Sequence, residues 1–195
     1  MKNKKIKKCD YGYLLYAYKS EIYITIALFT ISLGILLFGI VAFGDKKNYF
    51  TIAAVLGLLP ACRALINMIM FLKAKKFTCP ANLHEEIVSV NSFGLNIRYD
   101  LYITSYDKVF PLQAMIVTDN TIIGYTVYDK FDDAKFSEHI NTLLGQNLLK
   151  IGNIKIFREN EKDKFISRVA YASDNEKKAT QNEAGVSHLM ENISL

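Results

Sequence analysis

The chain has 195 residues, of which 51% are hydrophobic and 22% charged, and its formal net charge is +5. That charge is divided unevenly: residues 1–76 hold 12 Lys and Arg against 3 Asp and Glu, a net of +9, whereas residues 77–195 hold 12 against 16, a net of −4. The basic charge therefore lies outside the C-terminal part, which argues against a basic nucleic-acid-binding domain. Ten Gly, three Pro and three Cys also exclude collagen-like and disulfide-framework proteins.

Residues 1–21 form a basic, tyrosine-rich juxtamembrane segment. Tyr side chains favour the headgroup level of a bilayer, so residues 11–18 are predicted to form an interfacial helix. Their alternation leaves open a short strand that returns to pair with the later domain. Lysines on either side of the apolar region are predicted to contact anionic headgroups, at about 1 kcal/mol each. These are Lys4, Lys5, Lys7, Lys8, Lys73, Lys75 and Lys76.

Two apolar stretches follow, which we interpret as a transmembrane hairpin over residues 22–73. The first, 22–43, contains no charge, and the second, 50–72, contains only Arg63. A helix of 22 residues spans roughly 33 Å, enough to cross the hydrocarbon core of a bilayer. This length favours membrane spans over buried soluble helices or a cleaved signal peptide. The short connection makes the two helices antiparallel neighbours.

The distribution of lysine predicts the orientation of this hairpin. Six lysines precede the first span and three follow the second, whereas the connecting loop holds only Lys46 and Lys47. The positive-inside rule then places both termini in the cytoplasm, in a multi-pass protein of the plasma membrane. Three cysteines without framework spacing are consistent with a reducing compartment.

Arg63 lies near the middle of the second span, where an arginine costs about 2.5–3.5 kcal/mol on insertion scales. Asn67, four residues later, could share a polar seam with it, and Pro60 is expected to kink the helix. Two interpretations remain open. Arg63 either snorkels towards the headgroups or contacts an acidic group of another subunit, as part of a polar path.

Small residues recur every four positions on the second span, at Ala53, Gly57 and Ala61. Such a stripe lets helices approach closely. It is predicted to pack within the hairpin, against Thr30 and Gly34, or between subunits of an oligomer.

From Phe77 the composition becomes that of a soluble domain, predicted over residues 77–172. Alternating apolar residues and turn signals predict strands, and 3.6-residue spacing predicts two helices. The resulting order, ββββαβα, indicates a small α+β domain with its sheet covered on one face by helices. Residues 173–195 are predicted to be a mobile tail, with a short docking turn over residues 186–190 as the alternative. The predicted strands are 85–90, 95–104, 109–117, 121–127 and 153–157, and the predicted helices are 133–147 and 162–172.

The sequence contains no phosphate-binding loop, dinucleotide fingerprint, nucleophile elbow or kinase signature. We therefore expect no catalytic residue, cofactor or metal site; Cys79 and His84 alone are too few ligands for zinc. One enzymatic alternative is a membrane-tethered hydrolase or nuclease, since the strand and helix order loosely resembles that of the restriction-endonuclease-like fold. It would use Asp100 and Gln113, but Met115 stands where that chemistry needs a lysine.

These patterns favour a non-enzymatic integral membrane protein whose cytoplasmic domain binds a partner protein or small ligand, as an adaptor or sensor. The first alternative is a homo-oligomeric channel or membrane effector gated by the domain, with Arg63, Asn67 and Pro60 lining the path. The expected partners are anionic lipid and a protein or a second copy of the chain, and no nucleic acid.

Overall fold

A computed structural model describes residues 6–44, 48–92, 94–175 and 180–195. The chain divides into two compact units. One is a helical unit, Leu14–Lys76, and the other joins the segment before Leu14 to Phe77–Leu195. The predicted division into an apolar helical part and a small α+β domain is thus found.

The helical unit consists of α1 (Tyr13–Phe43) and α2 (Tyr49–Ala74), both long and apolar enough to cross a membrane. The side chain of Asn48 caps α2, because its oxygen accepts a hydrogen bond from the backbone N–H of Thr51 at 3.0 Å. Its amide nitrogen also donates to the Gly39 carbonyl at 2.9 Å, so the cap of α2 holds the end of α1.

The strand that the alternation left open over residues 11–18 does not form, since residues 11 and 12 are in a turn. Tyr13 begins α1, and the helix continues without a break through Tyr18. The lysines Lys4 and Lys5 and the loop lysines Lys46 and Lys47 lie outside the described residues.

The second unit is built on a four-stranded mixed sheet in the order β1-β2-β3-β4. The first two pairings are antiparallel and the third is parallel. The strands are β1 (Arg98–Thr104), β2 (Val109–Thr118), β3 (Thr121–Tyr125) and β4 (Asn153–Phe157). The helices are α3 (Ala81–Val90), α4 (Asp133–Gln146), α5 (Lys162–Asn175) and α6 (Gln181–Ile193).

Local sequence features account for the β2–β3 hairpin and for the start of α4. Asp119 and Asn120 have φ of 46° and 55°, the left-handed values that a two-residue hairpin turn requires. Asp132 caps α4, since its carboxylate accepts from the backbone N–H of Lys135 at 3.1 Å.

Helices cover both faces of the sheet, which corrects the predicted single covered face. On one face, sheet residues pack with Phe136 of α4 and Met190 of α6. On the other, they pack with Ile87 of α3 and Phe165 of α5. All four side chains are fully buried, so each face has its own apolar cluster.

The first predicted strand is wrong: residues 85–90 belong to the helix α3. The β-branched run around Ile87 favours a strand locally. The 3.6-residue spacing of Leu83, Ile87 and Val90, placed after Pro80, indicates a helix and is the signal that the structure follows. The domain therefore has the order αβββαβαα instead of ββββαβα.

The predicted mobile tail is also wrong where it is described. Residues 181–193 form α6, whose start carries a capping box between Thr180 and Glu183. Val186 and Met190 are fully buried against the sheet, which gives this helix an apolar face. Residues 176–179 of the predicted tail lie outside the described residues.

Candidate functional site

The two polar residues of the nuclease alternative lie on neighbouring strands and are buried. Asp100, on β1, is 0% exposed and has φ of 54°. Its carboxylate accepts a hydrogen bond from the backbone N–H of Cys79 at 2.6 Å. This bond holds the chain that follows α2 against β1, so the carboxylate serves to position the backbone.

Gln113, on β2, has a similar role. Its amide nitrogen donates to the Phe77 carbonyl at 3.1 Å, and its oxygen accepts from the backbone N–H of Val127 at 3.0 Å. Met115 on the same strand is fully buried. With both ends of Gln113 engaged and Asp100 bonded to Cys79, this geometry does not favour a hydrolytic site.

The segment before α1 packs on the same edge of the sheet. The Cys9 carbonyl accepts from the backbone N–H of Tyr99 at 2.9 Å, and the Cys9 side chain is buried in the core. The Tyr11 ring stacks on His84, with ring centroids 3.9 Å apart, and Tyr99 meets that histidine edge-on at 4.9 Å.

Burial favours the neutral forms of the Cys79 thiol and the His84 imidazole. Burial raises the pKa of the Cys79 thiol to about 12, and the nearby Asp100 carboxylate adds to the effect. Burial lowers the pKa of His84, whose Nδ1 is buried without a hydrogen-bond partner among the described residues. A protonated thiol is a poor metal ligand. Within the described ranges, no three His, Cys, Asp or Glu side chains are grouped to hold a metal ion.

A cleft of about 550 Å³ lies where β3 and β4 end, between residues 126–129 and 158–160. Ligands often bind at the carboxyl ends of parallel strands. Here, however, the lining cation Arg158 is already engaged. Its guanidinium donates to the carbonyls of Tyr128 and Phe131 and to the carboxylate of Asp133, at 2.9–3.2 Å. It therefore holds the start of α4.

A second surface, which we call the edge groove, lies between β4 and α5. It comprises a groove of about 690 Å³ and an adjoining one of about 230 Å³, and both are lined by Lys155, Arg168 and Tyr171. Lys155 belongs to β4 and the other two to α5. The Tyr171 ring remains 57% exposed.

The edge groove presents cations that are available for binding. In the described part of the chain, neither the Lys155 nor the Arg168 side chain makes a hydrogen bond or ion pair. Their neighbour Lys164 is instead paired with Glu161 at 2.7 Å. Three carboxylates, those of Asp119, Glu161 and Asp163, line the groove as well, so its formal charge is balanced overall. Its capacity to bind acidic side chains therefore lies in the two unpaired cations and the exposed aromatic ring beside them.

Sequence reasoning did not identify this groove, although its signals were present. In β4, alternation places Lys155 on the face opposite to Ile154 and Ile156. On α5, Arg168 and Tyr171 are three residues apart and so share one side of the helix. What the sequence does not show is that these two sides meet.

In the helical unit, Arg63 and Pro60 are exposed, while Asn67 is half-buried. Ala61 and Ala64 of α2 are buried, and Asn67 shares the side of Ala64. No ion pair to Arg63 occurs in the described ranges. Of the predicted seam, Arg63 and Pro60 therefore lie on the exposed surface of the hairpin, and Asn67 lies at its margin.

Of the predicted small-residue stripe, Gly57 and Ala61 are packed, but Ala53 is not. Ala61 is fully buried, and a Cβ added to Gly57 would meet the Ser32 hydroxyl at 2.8 Å. Ala53, however, is exposed, and its neighbour Ala54 is buried instead. On α1 the buried small residues recur every seven positions, at Thr25, Ser32 and Gly39. The predicted partners Thr30 and Gly34 are exposed.

The described lysines near the ends of the apolar helices differ in their surroundings. Lys7, Lys73 and Lys76 are exposed. Lys8 donates to the Asn192 carbonyl at 3.3 Å, and the Lys75 ammonium lies 3.9 Å from the centre of the Tyr18 ring.

No family model, curated protein or solved structure matches this chain.

The half-buried imidazole of His84 predicts a loss of stability in mild acid. Its pKa is lowered in the folded state, so the unfolded state binds more protons near pH 6. The stabilising contribution is present above the unfolded pKa of about 6.5 and is lost as pH falls through the folded pKa. We expect the free energy of unfolding, measured by denaturant titration of full-length protein in micelles, to fall between pH 7 and pH 5.

His84→Phe keeps a ring for Tyr11 to stack on and should flatten this pH dependence. His188→Gln is the matched control, because His188 is exposed. An unchanged slope in His84→Phe would show that other groups cause the acid sensitivity.

Proposed function

We propose that this protein is a membrane-anchored adaptor or sensor, in which α1 and α2 span the plasma membrane and the α+β domain binds a partner protein in the cytoplasm. The observation that carries the proposal is the edge groove, where the exposed Lys155 and Arg168 side chains form no ion pair with the described residues. A non-enzymatic role is favoured because Asp100 and Gln113 are engaged in holding the backbone.

The exposure of the two long helices supports their placement in lipid. Only 11% of the most apolar window of α1, and 17% of that of α2, is buried. Val41 is 84% exposed and Leu59 is 66% exposed, whereas core helices of soluble proteins bury such residues. A bilayer would cover this continuous apolar surface, which a soluble monomer rarely exposes.

Lysine again supports the orientation. Lys7, Lys8, Lys73, Lys75 and Lys76 lie at the N-terminal end of α1 and the C-terminal end of α2, the two ends that an antiparallel hairpin brings to one side of a membrane. Anionic headgroups on the cytoplasmic leaflet would attract them. The domain that follows is then cytoplasmic.

Cysteine labelling tests this topology. Tyr49, at the start of α2, is 90% exposed, and Tyr106, between β1 and β2, is fully exposed. In a Cys62→Ser background, we expect a membrane-impermeant maleimide applied to intact cells to label Tyr49→Cys, but to label Tyr106→Cys only after permeabilisation. The reverse pattern would contradict the cytoplasmic placement of the domain.

The shape of the edge groove favours a protein partner over a small ligand. The groove is an open surface shared by a strand and a helix, whereas sites for small molecules are concave and bury most of the ligand. Its exposed tyrosine and its arginine are residue types enriched in protein interfaces.

Site-specific photocrosslinking tests for such a partner. A photoreactive phenylalanine replaces Tyr171 in full-length protein in its own membrane, and replaces Tyr106 as an equally accessible control. We expect a discrete conjugate at position 171 alone, reduced at least several-fold by Lys155→Glu, because that change reverses the charge beside the partner. Equal conjugates at both positions, or none, would contradict partner binding at the edge groove.

A second candidate function is a homo-oligomeric channel or membrane effector gated by the domain. The outward position of Arg63 favours it, because an intramembrane arginine that its own hairpin leaves uncovered requires compensation from another subunit or from water. Exposed Ala53 and Pro60 leave room for close helix contact on that surface.

Ion flux into liposomes that contain the full-length protein distinguishes the two functions. A channel predicts flux that Arg63→Leu abolishes and the charge-preserving control Arg63→Lys retains. The adaptor predicts that all three proteins leave flux at the level of empty liposomes.

A further inference from the structure

The two edges of the sheet differ in whether other parts of the chain form hydrogen bonds with them. The outer edge of β1 is occupied. There, the backbone N–H of Tyr99 donates to the Cys9 carbonyl, that of Tyr102 donates to the Ser194 hydroxyl, and Leu195 donates back to the Tyr102 carbonyl, all at 2.9–3.0 Å. An edge strand covered in this way cannot pair with another chain.

The outer edge of β4 is not occupied by any of the described residues. Asn153 and Phe157 direct their backbone groups towards β3, since the Asn153 N–H donates to the Asn120 carbonyl and the Phe157 carbonyl accepts from Thr126. Backbone groups alternate along a strand, so those of Ile154 and Ile156 point outwards. No hydrogen bond reaches these outward groups from residues 6–44, 48–92, 94–175 or 180–195.

Two unpaired cations lie beside this edge, together with the exposed carboxylate of Asp163 on α5. Lys155 is exposed and lies between Ile154 and Ile156, whose backbone groups point outwards. Arg168 of α5 lines the same groove. A strand added next to β4 would place every second side chain on the α5 face, near these two cations. Acidic side chains at those positions would be attracted, and basic ones repelled.

The same charge argues against a second copy of the chain. Two-fold antiparallel pairing of β4 with itself, in the register that uses all five residues, places Lys155 directly opposite its own symmetry mate. Like charges directly opposite one another destabilise a strand pair. A partner strand that presents a carboxylate opposite Lys155 avoids this repulsion.

We propose that the free edge of β4 receives an extended acidic segment of a partner protein as a fifth strand, bonded to the backbone of Ile154 and Ile156, with carboxylates beside Lys155 and Arg168. This inference rests on the proposed function and specifies how the partner is recognised. Main-chain hydrogen bonds supply affinity in such strand addition, and alternate side chains supply specificity.

A synthetic probe tests the main-chain and charge components separately. The probe is a fluorescein-labelled peptide of alternating glutamate and valine, titrated against full-length protein in nanodiscs of zwitterionic lipid. We expect saturable binding, weakened about tenfold by Lys155→Glu or by Arg168→Glu. Lys130→Glu, a charge reversal at an exposed lysine that does not line the groove, should leave the affinity unchanged.

Two further measurements address the strand itself. Peptide binding should slow hydrogen exchange at the amides of Ile154 and Ile156. Methylating alternate peptide nitrogens on the edge facing β4 should abolish binding, and methylating those on the opposite edge should not. Binding without protection of these amides, or with tolerance of both methylation patterns, would overturn strand addition and leave a purely electrostatic contact.

Other occupants give distinct results. Failure of the probe to bind overturns this inference, and so does binding of anionic vesicles through Lys155 in preference to the peptide. A concentration-dependent dimer lost on Ile156→Pro would assign the edge to a second copy instead. In each case a crosslink at position 171 would still support the proposed function. Loss of that crosslink would contradict both the proposed function and the addition of a strand to β4.

Discussion

The hydrogen bond from the backbone of Cys79 to the carboxylate of Asp100 is the interaction on which the arrangement of the α+β unit depends. A fully buried carboxylate is costly unless its oxygens are satisfied, and this bond, at 2.6 Å, satisfies one of them. It also fixes the chain that follows α2 beside β1, where Gln113 binds the Phe77 carbonyl. Residues that look catalytic in the sequence are therefore used to secure a chain segment.

The consequences for function follow from the two sheet edges. Cys9 and Ser194, from opposite ends of the chain, occupy the outer side of β1 and leave no room for a partner there. No described residue forms a hydrogen bond with the outer edge of β4. The charge of Lys155, in the middle of that strand, disfavours unselective pairing there. A charge that blocks self-pairing also attracts an acidic strand, so the same residue serves both exclusion and recognition.

The helical unit shows a comparable division between a packed and an open side. Small residues, such as Ser32 opposite Gly57, bring α1 and α2 together where bulkier ones would clash. Large apolar side chains and Arg63 lie on the remaining surface. This surface is suited to lipid, and Arg63 is a position on it that needs a further polar contact.

The sequence by itself determined what depends on neighbours along the chain. Unbroken apolar length specified the two long helices, and the carboxylate of Asp132 specified the start of α4, because capping involves only the next turn. Tertiary structure decided the rest. Ile87 lies in a helix and Met190 is buried because distant residues supply their packing surfaces. Lys155 becomes part of a groove only because α5 folds back beside β4, a contact that no local pattern encodes.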